Sequence, residues 1–233
     1  EEWLRYGSAS KVAAILGLSN WESEYSLWFK MAGILEPEPQ TDEQARGHYL
    51  EPAISHWFTD QHPEFQVFKT RPWQHTERTW QTADPDRMLC PAGPKLYVPT
   101  AALECKTAAD LDTWGPDFSD EYPPGYRAQA MWQMDTIGIR RIYLAVLLPY
   151  LQFRQYVIDY DEYLGVGSGS FSFLNDTLHR FTNSLRKSYI CFTTFSCSWR
   201  ADHELGTTNQ MHIIKTLNWK LEIQEGTKPN PFW

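Results

Sequence analysis

The stretch from Gln81 to Thr107, QTADPDRMLCPAGPKLYVPTAALECKT, decides how the chain folds. Short apolar runs (TWQTA, MLC and LYVPTAALECK) are broken by Pro and Gly around PAGPK, which predicts strands and hairpins. Leu103-Glu104-Cys105-Lys106 closes the last run, and Asp84-Pro85-Asp86 follows an earlier one, so the two together read D…ExK. Alternation along a strand sends Glu104 and Lys106 to one face and Cys105 to the other, while the Cys105 backbone carbonyl remains available as an oxygen donor. An Asp from the neighbouring strand completes a hard-oxygen site. Such a site suits Mg²⁺, with Mn²⁺ as a substitute, because these ions prefer carboxylates, carbonyls and water. An ExK triplet also arises on solvated strand faces, where Glu and Lys simply pair or hydrate, so its meaning depends on its surroundings.

Upstream, GSASKVAAILG over residues 7–17 predicts a short helix after a Ser cap, ended by Gly17. SEYSLWFKMAG predicts a second helix, from Ser23 to Gly33, with Tyr25, Leu27, Trp28 and Met31 on or near one face. A longer helix is expected from Asp42 to Gln61, with Ala45, Leu50, Ala53, Ile54, Trp57 and Phe58 as its apolar stripe. Glu51 shares helical spacing with Ile54 and Phe58, which sets a carboxylate on or beside that stripe, where burial needs a metal or a partner. The bland alternative is a Glu reaching past the edge of the stripe to water. Downstream, GYRAQAMWQMDTIG predicts a helix over residues 125–138, and RRIYLAVLLPY with FRQYVIDY predicts a hairpin. Gln129 shares a face of that helix with Trp132, Gln133 and Thr136. The order helix, strands, helix, strands indicates an α/β core with a mixed central sheet flanked by helices.

The boundary between this core and a C-terminal extension is set at residues 165 and 166. Beyond it, GVGSGS reads as a linker, Leu174, Leu178, Phe181 and Leu185 as one amphipathic helix, and SYICFTTFSCSW and LNWKLEI as strands. The extension carries no chemical motif and is expected to pack on the core.

The formal net charge of −8 and pI near 5.4 argue against a surface coated in phosphate contacts, although an enclosed channel can be basic while the outside stays acidic. No stretch approaches the roughly 18 apolar residues of a membrane helix, and the start lacks a signal-peptide layout, so a cytosolic chain is expected. Cys90, Cys105, Cys191 and Cys197 form no close CxxC pair, which speaks against a zinc site. His48, His56 and His62 lie six and eight apart, where facing helical ligands need three or four. The many aromatic residues fall mostly on apolar stripes, as core packing requires.

Four ordered segments give the chain a family resemblance: GSASKVAAILGLSNWESEYSLW, ARGHYLEP, TADPDR…LECKT and PPGYRAQAMWQMDTIG. Over residues 3 to 161 the chain resembles the YqaJ-like viral recombinase family, the phage lambda exonuclease family, within the PD-(D/E)xK nuclease superfamily. The resemblance implies a restriction-endonuclease-like core and a metal-dependent exonuclease that resects linear double-stranded DNA 5′ to 3′ for a single-strand annealing protein. It also implies a ring-shaped homotrimer, and a phage or prophage setting in the bacterial cytoplasm.

Position by position, the same resemblance assigns Asp86 and Glu104, with the Cys105 carbonyl, to the metal. Lys106 would position or deprotonate the attacking water, Glu51 would serve a metal, and Gln129 would orient Lys106 or the nucleophile. Ser10 and Arg5 would bind a phosphate of the strand end. The family's Pro-Asp-Gly is here Pro85-Asp86-Arg87, so Arg87 becomes a candidate DNA contact. Asp84 is the alternative ligand; Asp86 is preferred because it alone follows the proline. Two other functions share these residues: a structure- or sequence-specific endonuclease, and a non-catalytic DNA- or protein-binding module.

Overall fold

A computed structural model of the protein describes residues 6–36, 38–93 and 98–162. Arg5 and everything expected of residues 163–233, including the linker, the later helix and strands and the C-terminal extension, lie outside the described residues. In chain order the elements are β1 (Gly7–Ser8), α1 (Ala9–Ile15), α2 (Glu24–Met31), α3 (Asp42–Gln61), β2 (Phe65–Phe68), β3 (Trp73–Gln74), β4 (Gln81–Ala83), β5 (Arg87–Pro91), β6 (Ala101–Thr107), α4 (Pro124–Ile137), β7 (Arg141–Leu148) and β8 (Gln152–Asp159).

Local chemistry sets these boundaries. Ser23 and Ser26 form a reciprocal capping box at the start of α2, as Thr41 and Gln44 do for α3. Pro124 occupies the first turn of α4, where its missing N–H is harmless, and Gly138 ends the helix in the left-handed region at φ 82°. The first helix begins at Ala9 after Ser8, as a Ser cap requires, but some details differ from the sequence reading. Gly7 and Ser8 pair with Gln81 and Thr82 as a strand, and the Ser8 hydroxyl makes no capping bond. Ala53 and Tyr25 are exposed rather than on buried faces. Among the described residues, no helix is long and apolar enough to cross a membrane.

The main sheet has the order β2-β5-β6-β7-β8, and a smaller one has the order β1-β4-β3. β6 and β7 run parallel, while the other pairs of the main sheet are antiparallel, so the sheet is mixed. Strand alternation divides its side chains between two cores. Met88, Ala102, Leu144, Val146, Tyr156 and Ile158 face a cluster that includes α1 and α4 residues such as Val12, Met131 and Trp132. Leu89, Leu103, Cys105, Tyr143 and Ala145 face Ile54 and Phe58 of α3. The sheet is thus sandwiched by helices. Its parallel pair ends beside both: Gly47 of α3 lies near Thr107, and Glu104 and Lys106 rise on the α4 side.

Candidate active site

β6 carries Glu104 into the α4 core, where its side chain is only 8% exposed. A carboxylate there needs donors, and three converge on it. Lys106 Nζ donates to Oε1 at 2.6 Å, Gln129 Nε2 donates to the same oxygen at 2.6 Å, and Gln133 Nε2 donates to Oε2 at 2.9 Å. The expected alternation therefore holds: Glu104 and Lys106 share a face, and Cys105 packs on the opposite side against the α3 cluster. Burial and the acids around it push the Cys105 thiol well above its usual range, so its sulfur is inert.

Asp86 directly precedes β5. Its Oδ2 accepts the Cys105 backbone N–H at 2.6 Å, which fixes the carboxylate against the edge of β6 just past the last paired residue, Leu103. A strand residue's N–H and C=O leave by the same edge, so the Cys105 carbonyl opens on the Asp86 side. Burial, and then the neighbouring Glu104, push the Asp86 carboxyl up to about 7. Asp84 is exposed; burial and Glu104 raise it too, while Lys69 opposes the rise. Burial works against the charge of Lys106, but Glu104 and Asp86 together hold its ammonium well above the ordinary value. The Tyr126 ring, 5.4 Å from Nζ, covers the same cation.

On the α3 side, Glu51 Oε1 accepts from Arg87 Nη1 at 2.5 Å, and the same nitrogen donates to the Asp86 carbonyl oxygen at 2.6 Å. Arg87 thus turns inward. Ser10 is exposed in the first turn of α1, its hydroxyl 3.0 Å from that of Ser8, and α1 packs on the helix that supplies Gln129 and Gln133. Of the residues singled out in the sequence, Asp86, Glu104, Cys105, Lys106, Gln129, Glu51 and Arg87 gather at one end of the sheet. Gln133 joins them without having been singled out. Its signal was a second Gln one helical turn after Gln129 on the face that also carries Trp132 and Thr136.

Two observations bear on whether this group suits a divalent cation. Burial, and then the neighbouring Glu104, keep a proton on Asp86 to near neutral pH although Lys106 opposes it, which is the response of a sheltered carboxylate whose charge is incompletely offset. Beside them, Gln133 Oε1 is buried with no hydrogen-bond partner, an orphan acceptor suited to a water or a hydrated ion. Among the described residues no three His, Cys, Asp or Glu side chains converge as a metal cage. Two carboxylates plus a backbone carbonyl match instead a cation that keeps part of its water shell, as Mg²⁺ does.

A family model described as the YqaJ-like viral recombinase domain matches residues 4–140. The uncharacterized protein YqaJ of Bacillus subtilis (strain 168) is 30% identical over 173 residues, covering 70% of this chain and 51% of that protein. The chain therefore spans about half the length of this curated relative. Among solved structures, an alkaline exonuclease from Laribacter hongkongensis superposes with a TM-score of 0.62 at 17% identity, covering 84% of this chain and 98% of that one. A phage related exonuclease from Haemophilus somnus 129PT gives a TM-score of 0.54 at 15% identity, over 82% and 96% of the two chains. At such identities the likeness shows the fold, a restriction-endonuclease-like core as the resemblance implied, with the mixed central sheet flanked by helices that the order of elements led us to expect.

Proposed function

Since the chain belongs to the YqaJ-like viral recombinase domain family, we propose that it is a metal-dependent deoxyribonuclease that degrades linear double-stranded DNA from its ends. The observation that carries this reading is the pairing of Asp86 and Glu104 on one face of the sheet, with Lys106 2.6 Å from Glu104. The similar solved proteins are exonucleases by name, which supports cutting at ends rather than within a strand.

Asp86, Glu104 and the Cys105 carbonyl would hold Mg²⁺, with Mn²⁺ as a substitute. Such an ion neutralises charge on the scissile phosphate and acidifies a water. The protein's own residues do the positioning. Gln129 and Gln133 fix both oxygens of Glu104 with neutral donors, which orients the carboxylate and leaves its charge available. Lys106 stays protonated beside two acids, so it serves as a fixed cation that orients the attacking water and stabilises the developing phosphorane, rather than as the base. Ser10 on α1 and Arg5 are the proposed contacts for the strand-end phosphate.

Resection in the 5′ to 3′ direction, delivery of the remaining strand to an annealing protein, and a ring-shaped homotrimer complete the proposal. A ring would also reconcile a net charge of −8 with DNA, by enclosing the duplex in a locally basic channel.

The test incubates end-labelled linear duplex with Mg²⁺ or Mn²⁺, beside a covalently closed circle, a 5′-hydroxyl duplex and an EDTA control. Linear DNA should yield mononucleotides while the circle survives, and Lys106→Ala and Glu104→Ala should both abolish product. Cutting of the circle would establish the endonuclease instead, and full activity in both variants would remove these residues from the reaction.

A further inference from the structure

Asp86 and Arg87 are adjacent in sequence but serve opposite faces of the sheet. Met88 pairs with Ala102 on the α4 face, so Asp86 falls on the side of Glu104. Arg87 pairs with Leu103 and points toward α3. There its Nη1 bridges Glu51 Oε1 at 2.5 Å and the Asp86 carbonyl at 2.6 Å. Both side chains of this ion pair are sheltered, Arg87 at 12% exposure and Glu51 at 22%. A guanidinium keeps its charge across the working pH range of enzymes, and opening a sheltered pair strands the partner left behind.

The carboxylates of the site are therefore satisfied in unlike ways. Asp86 is held by a backbone N–H, and Glu104 by two amides together with Lys106; amide donors orient a carboxylate without cancelling its charge. Glu51 is already matched by a full positive charge at contact distance. A second divalent ion arriving at Glu51 would first have to evict Arg87 from two acceptors.

We propose that Arg87 stands in the cation position of Glu51, so that the site takes one divalent ion at Asp86 and Glu104 and the guanidinium supplies the charge of a second. The inference rests on the metal site of the proposed function and narrows it to a single ion.

Calorimetric titration of metal-stripped, DNA-free protein with Mn²⁺, checked by the paramagnetic resonance of free Mn²⁺, counts the ions directly. Wild type should bind one ion per chain. Arg87→Ala should bind two, and adding Glu51→Gln to it should return the count to one. Arg87→Gln, which keeps a polar side chain of similar reach without charge, should also bind two; it serves as the second variant if Arg87→Ala does not fold, judged by its melting in EDTA. Two ions in wild type, or one in wild type and in both Arg87 variants alike, would overturn the proposal. Absence of any saturable Mn²⁺ binding in wild type would overturn the metal site itself, a separate failure because it removes the first ion rather than adding a second.

Discussion

Replacing Asp86 with Asn should remove a pH dependence of stability that the metal-free protein carries. Burial and Glu104 raise the Asp86 carboxyl from 3.8 to about 7 in the folded protein, whereas in the unfolded chain it ionises near 4. Between those values the unfolded state has released a proton that the folded state retains. The folded state then binds more protons, so the free energy of unfolding falls as pH rises through this window. Below about pH 4 both states are protonated and no penalty exists; above about pH 7 both are ionised and the penalty is complete. Its upper limit is about three pH units at ~1.4 kcal/mol each, or ~4 kcal/mol, and sharing of the proton with Glu104 lowers this to roughly 2–4 kcal/mol. Asn keeps an oxygen that can accept the Cys105 N–H, so the substitution removes charge without removing the bond. Wild type and Asp86→Asn should therefore unfold alike at pH 4, and the variant should be the more stable at pH 8, melting roughly 5–15 °C higher. Thermal unfolding followed by tryptophan fluorescence in EDTA, from pH 4 to 8, reads the difference, and carboxylates remote from Asp86 cancel between the two proteins. Saturating Mn²⁺ at pH 8 should recover most of the gap in wild type and little in the variant. Parallel pH profiles for the two proteins would refute the reasoning, because they would mean that Asp86 ionises as freely in the fold as in water.

Gln133→Leu, close to isosteric, deletes the donor to Glu104 Oε2 and should weaken Mn²⁺ binding about 10–100-fold in a calorimetric titration; an unchanged affinity would mean that Gln129 and Lys106 suffice to orient the carboxylate. Asp135→Ala strips the shared acceptor from Arg78 and from Gln81, which reaches it at 2.7 Å, and leaves both polar groups sheltered between β4 and α4. It should lower the free energy of unfolding by about 3–5 kcal/mol in guanidinium denaturation, and a loss below about 1 kcal/mol would show that the network relaxes into water.

Where one period or one alternation governs, the sequence was legible. The helix expected from about Asp42 to Gln61 is α3, and Leu50, Ile54 and Phe58 lie on its packed stripe as the period required. The β6 pleat separated Glu104 and Lys106 from Cys105 for the same reason: strand alternation is local geometry. What periodicity does not contain is the identity of the facing partner. Gln129 and Gln133 share a helical face with Trp132, but only the crossing of α4 over β6 shows that both amides land on Glu104. Arg87 read as a candidate DNA contact, because it stands where the family has a glycine. Its inward turn depends on Glu51, 36 positions away on another element. The strands β1 and β3, two residues each, are too short for any alternation to register and exist because β4 between them offers both edges.

The site is graded in charge rather than uniformly acidic, and this gradient follows from which atoms satisfy each carboxylate. At the Glu51 end a guanidinium contributes a full positive charge at 2.5 Å. At the Asp86 end the contact donor is a backbone amide, and burial with Glu104 keeps the acid protonated to about pH 7 against the opposing pull of Lys106 and that amide. Glu104, in the α4 core, receives two amides and one ammonium on a single carboxylate. A cation entering this end of the sheet therefore meets the least neutralised charge between Asp86 and Glu104, on the face that Lys106 shares and where Gln133 leaves an acceptor unpaired. On the proposed function the same gradient would restrict a phosphate, drawing it toward Lys106 and a bound ion and away from the exposed carboxyl of Asp84. Under the proposed function, an acidic chain would accept a DNA end at one place, where Lys106, Arg87 and one exchangeable cation would offset the carboxylates of Asp86, Glu104 and Glu51.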